Sequence, residues 1–151
     1  MLTKPGWYLA KVTEWAVIET KNGAISIRTT VQTLGDWDAD RNEWVAVAKP
    51  EDGFGDFYVV KKNGEVSAAI LDQLHMAGIW EGDFIRFDAP PPENFQVVID
   101  CISEIYEGKT YVRPKFIYYA EHKPGSRRAS REKLMALQDR FGAAMRAVKP
   151  A

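Results

Sequence analysis

Apolar and polar residues alternate from Gly6 to Ile18 (GWYLAKVTEWAVI) and again from Ala24 to Leu34, with Lys21-Asn22-Gly23 supplying a turn between the two runs. The pattern predicts a hairpin of two long strands. In the second, Ile25, Ile27, Thr29 and Val31 share one face, while Ser26, Arg28, Thr30 and Gln32 share the other, so Arg28 points away from the core. In the first, Trp7 and Trp15 fall with Leu9 and Val17 and are assigned to the core. Residues 35–43 are polar and read as a connection, Trp44 to Ala48 as a short strand, and Phe54 to Val60 as a third long strand.

The period then changes. Within EVSAAILDQLHMAG, Val66, Ile70, Leu74 and Ala77 recur at helical spacing, and Gly78 stands where a helix-terminating glycine belongs. Strand signals resume at Asp83 to Phe87, stop at Pro90-Pro91-Pro92, and return at Phe95 to Tyr106 and Tyr111 to Ala120 around the turn Glu107-Gly108-Lys109. The order is a mainly β domain of five to six antiparallel strands with one short internal helix after the third long strand. An OB-fold-like barrel has this order, its helix plugging one end; another small barrel or sandwich with one helix is the alternative. After Lys123-Pro124-Gly125, Leu134, Leu137, Phe141, Met145 and Val148 mark one face of a C-terminal amphipathic helix. The division read from the sequence is a barrel domain over 1–122 and a helical tail over 123–151.

Composition refines this picture through charge. The 151 residues carry a net charge of -1. Residues 1–125 hold 13 Lys/Arg against 19 Asp/Glu, a balance of -6, and residues 126–151 hold 7 against 2, a balance of +5. An acidic body with a basic tail implies an electrostatic partner for the tail, either nucleic acid or the body of another copy. No apolar run approaches the ~20 residues of a membrane helix, and the first residues lack the pattern of a secretory signal, so an intracellular, cytoplasmic location is expected. Cys101 is the single cysteine and alternates with Phe95, Val97 and Ile99 as a core residue; with only His75 and His122 beside it, no zinc set forms.

Catalytic motifs fail on inspection. Gly108-Lys109-Thr110 ends like a phosphate-binding loop, but the glycine that loop requires five residues earlier is Ser103. Asp36, Asp38 and Asp40 open like a calcium loop, but Arg41 and Val47 occupy its glycine and glutamate positions. His75 has no nucleophile placed beside it by sequence and reads as a structural side chain. The expectation is a non-enzymatic protein without metal or cofactor.

The richest segment is Tyr111-Val112-Arg113-Pro114-Lys115-Phe116-Ile117-Tyr118-Tyr119. Read as a strand, it sets Tyr111, Arg113, Lys115 and Tyr119 on one face, and Pro114 indicates an edge or bulge. Rings that stack on bases beside cations that neutralise phosphates are what a single-stranded nucleic-acid surface needs; an ordinary exposed strand face is the competing reading. Further candidates are Arg28, Tyr58, Lys62, Arg86, Tyr106 and Lys109, with Arg127, Arg128 and Arg131 of the tail as added phosphate contacts.

Together, GWYLAKVTEW, TKNGAISIRTTVQTL, LDQLHMAG and QVVIDCISEIYEGKTYVRPKFIYY resemble small phage and prophage early proteins that look like OB-fold single-stranded DNA-binding proteins, over about residues 5–120. The resemblance implies sequence-tolerant coating of single-stranded DNA in phage replication or recombination, among replication or recombination proteins as partners. It carries over to Tyr106, Lys109, Tyr111, Arg113 and Lys115. Many bacterial proteins of this kind end in an acidic tail that recruits partners, whereas this chain ends in a basic helix. The second reading is therefore an interaction or assembly module of phage origin, docking Leu134, Leu137, Phe141, Met145 and Val148 on a partner or a second copy.

Overall fold

Alternation dictates the sheet. The computed structural model describes residues 1–124 and 131–148, and in it one phase of each long strand faces a common core. The strands are β1 (Gly6–Glu19), β2 (Ile25–Asp38), β3 (Glu43–Ala46), β4 (Asp52–Val60), β5 (Gln96–Tyr106) and β6 (Lys109–Tyr119), all antiparallel in one sheet. β1 lies between β2 and β5; β5 pairs with β6, and β2 pairs with β4 along Ile25 to Gln32 and with β3 along Gly35 to Asp38. The sheet curls until β4 approaches β6, where a Cβ on Gly55 would stand 2.8 Å from the Pro114 carbonyl oxygen. No ladder joins these two strands among the described residues, so the arrangement is that of an OB-fold-like barrel whose sheet is not closed.

Helix α1 (Ala68–Met76) sits between β4 and β5, as the sequence order requires. Ser67 caps its first turn, its hydroxyl accepting from the Ile70 amide, and Leu74 is its fully buried anchor. Gly78 takes a positive φ of 79° just past the helix end. Ile27, Val31, Val59, Val97, Ile99 and Ile117 complete the centre of the core. A second helix, α2 (Arg131–Ala147), follows the body. Among the described residues no helix is long and apolar enough to cross a membrane.

Three expectations change. Asp83 to Phe87 is no strand: Ile85–Asp88 is a 3₁₀ turn, fixed because the Asp83 carboxylate accepts from the Arg86 amide. Residues 35–43 are partly strand, since β2 runs on to Asp38 and turns into β3, with Trp37 and Trp44 edge to face at 4.9 Å. Trp7 does not share a face with Trp15. A bulge between Val12 and Glu14 reverses the phase of β1, so Tyr8, Ala10, Val12 and Trp15 face inward, while Trp7 lies against Tyr118 and His122 outside.

Cys101 is buried, as its phase predicts, and this has a pH consequence. Burial, reinforced by the Asp100 charge, pushes its thiol up from 9.0 to about 12. Burial also pushes the Tyr8 phenol up from 10.0 to about 12, with Asp36, Cys101 and Glu51 adding to it. Both groups hold their protons more tightly when folded, so stability is complete below about pH 9 and falls as pH rises towards 12. Urea midpoints measured from pH 8 to 11 should show this decline. Cys101→Ala should delay its onset from about pH 9 to about pH 10, where Tyr8 begins to titrate in the unfolded chain; an unchanged onset would contradict the assignment.

Candidate nucleic-acid interface

Phe54, Asp56 and Tyr58 occupy the outward phase of β4, opposite Thr30, Arg28 and Ser26 of β2. The Arg28 guanidinium lies 4.7 Å from the centre of the Phe54 ring. Across the unladdered seam, the Arg113 guanidinium of β6 lies 5.4 Å from the same ring and 5.2 Å from that of Tyr111. Three strands thus assemble a row of alternating cations and rings: Arg28, Phe54, Arg113, Tyr111. Each contact is in the range where a guanidinium is drawn to an aromatic face.

Asp56 fixes one end of this row. Its carboxylate accepts from Arg28 Nε at 2.8 Å and from Nη2 at 3.0 Å, a bidentate pair that holds the arginine extended and raises its pKa. Further along the row, Arg113 is half-buried between two rings, with Tyr111 at the other end.

Three hollows follow the row and share residues, which makes them one track. The first, about 400 Å³, lies beside the β1–β2 turn and is lined by Thr20, Asn22, Tyr58, Lys61 and Lys62. The second, about 250 Å³, shares Tyr58 and adds Glu104, Arg113, Lys115 and Phe116. The third, about 740 Å³, shares Arg113 and continues past Phe54 to Tyr111 and Thr110 under the β5–β6 hairpin. Arg28, Lys61, Lys62, Arg113 and Lys115 supply five cations here against the carboxylates of Asp52, Asp56 and Glu104. The track therefore has the opposite sign to the body around it.

Of the residues singled out in the sequence, the track brings together Arg28, Tyr58, Lys62, Tyr111, Arg113 and Lys115. Tyr106 and Lys109 face each other across the hairpin end just beyond it, with Tyr106 61% exposed. A bulge opposite Asp100 and Cys101 corrects the predicted face of β6: Lys115 is the extra residue, so Phe116 and Tyr118 take the outward phase, while Pro114 and Ile117 are buried and Tyr119 leaves the face. Arg86 does not join the track. Its guanidinium donates to the Gly78 and Ile79 carbonyls, pairs with Glu81 at 2.9 Å and lies over Trp15, so it is committed to the fold. Arg127 and Arg128 lie outside the described residues, and Arg131 opens α2 with its side chain outside them too.

Phe54 is the member that sequence reasoning missed. It was legible as a strand residue, but nothing local shows that arginines from two other strands converge on it. Elsewhere, His75 Nδ1 stands 3.2 Å from the Trp80 carbonyl, a structural contact. The acidic loop also has an internal use, Asp38 accepting from the Asp40 and Arg41 amides. No protein-family model and no curated protein matches the chain.

Proposed function

We propose that the protein is a non-catalytic binder of single-stranded DNA, cytoplasmic and of phage type, serving replication or recombination. The observation that carries the reading is the Arg28–Phe54–Arg113–Tyr111 row on the outer face of β2, β4 and β6, in a track of locally reversed charge. A single strand offers bases as flat π surfaces and phosphates at regular intervals. Tyr58, Tyr111 and the guanidinium planes suit the former, and Lys61, Lys62, Arg113 and Lys115 suit the latter. The position agrees with OB-type barrels, which bind on their second and third strands between the loops corresponding here to the β1–β2 and β5–β6 turns. Nothing in the track reads a base edge uniquely, so binding is expected to tolerate sequence.

Fluorescence anisotropy with labelled oligo-dT and a matched duplex over a salt series tests this. Oligo-dT should bind much more tightly than duplex, and log affinity should fall linearly with log salt, by about 0.7 for each phosphate neutralised. Absence of binding at low salt, or equal binding to duplex, would overturn the proposal.

A further inference from the structure

Two surfaces of the chain lie outside the track and complement each other. The first is α2. Leu134, Phe141, Met145 and Val148 are 57%, 41%, 73% and 73% exposed, and the Arg140 guanidinium lies 4.8 Å from the centre of the Phe141 ring. With Arg146 in its last turn, α2 is an apolar face edged by positive charge. Seventeen residues give it a length of roughly 25 Å.

The second surface is a shallow, open groove of about 440 Å³ beside α1, with Ala68, Leu71 and Trp80 as its apolar lining and Asp72, His75 and Glu81 as its polar lining. Phe84 extends the apolar lining, its ring edge to face with Trp80 at 5.0 Å, and Ile85 beside it is 81% exposed. Asp83 and Asp88 add carboxylates to the same segment, and the cation within it, Arg86, is already held by Glu81 and two carbonyls. This is an apolar lining with carboxylates beside it.

We propose that α2 of one copy docks in the α1 groove of another, joining chains head to tail. Charge selects this occupant. Two α2 helices laid together would oppose arginine to arginine, whereas α2 on the groove places Arg140 and Arg146 near carboxylates and buries Phe141 against Trp80 and Phe84. The contact does not depend on the DNA reading. If both hold, copies lined up on a strand bind cooperatively, because the groove shares no lining residue with the track.

Light scattering of the full chain across concentrations at low salt tests the contact. The mass should rise at least twofold above the 17.1 kDa of one chain and fall back at high salt. The Arg140→Glu/Arg146→Glu variant and the Asp72→Lys variant should each remain at 17.1 kDa with unchanged circular dichroism, all three side chains being solvent-exposed. Mixed one to one, the two variants should associate again, since the native α2 of the Asp72→Lys chain meets the native groove of the other variant. A native chain at 17.1 kDa at every concentration, variants that still associate, or a mixture that stays monomeric would each overturn the docking. Oligo-dT binding by the monomeric variants separates this outcome from failure of the nucleic-acid reading.

Discussion

Tyr111→Ala should weaken oligo-dT binding by about 5- to 150-fold, the equivalent of losing one stacked base at ~1 to 3 kcal/mol. Its salt slope should stay unchanged, because the ring neutralises no phosphate. Arg113→Ala should lose more. Arg113 touches both Phe54 and Tyr111, so its removal takes away a cation and the element that holds two rings in line. The salt slope should become shallower by about 0.7. Arg113→Lys separates these contributions: it should restore the slope but not the lost affinity, since an ammonium cannot stack as a planar guanidinium does. Tyr111 and Arg113 are only half-buried, so thermal melts should show the variants folded. Native affinity in the Tyr111→Ala/Arg113→Ala double variant would mean that the track is not the binding surface.

Trp15→Ala should cost about 3 to 5 kcal/mol of stability, a large part of what a domain of this size ordinarily possesses. The indole is 8% exposed, and its Nε1 donates to the Ala89 carbonyl at 2.7 Å. Phe87 and Phe95 meet it edge to face at 5.1 and 6.0 Å, and the Arg86 guanidinium covers it at 4.9 Å. Truncation would open a cavity, leave the Ala89 carbonyl without this donor, and strip the ring from Arg86. Trp15→Phe keeps most of the packing and should cost about 1 kcal/mol through the hydrogen bond. Urea denaturation measures both; a loss below about 1 kcal/mol for the alanine variant would show that this end of the barrel is not held by Trp15.

These residues also show what the sequence could disclose. The β1–β2 hairpin, the burial of Cys101 and the outward aim of Arg28 follow from period-two alternation, which local sequence carries in full. Alternation fails where a bulge inserts one residue, because every later side chain then changes face: Trp7 and the end of β6 were misplaced for this reason. The Phe84 to Phe87 segment alternates like a strand, but an aspartate one residue earlier captures the chain as a turn, and Arg86 went with it. Pairing across strands has no local signature at all, which is why Arg28 and Arg113 were legible singly and their meeting over Phe54 was not.

Pro114 carries one further consequence. A sheet that stops short of closure presents two raw strand margins whenever its seam opens, and copies of the chain crowded together would then be prone to fuse through them into insoluble aggregates. Pro114 has no amide hydrogen to offer on β6, and charged Arg113 and the bulged Lys115 stand on either side of it. On the proposed nucleic-acid reading, the residues of β6 that would meet a polyanion thus also make it a poor template for another β-strand, so crowding would not come at the expense of solubility.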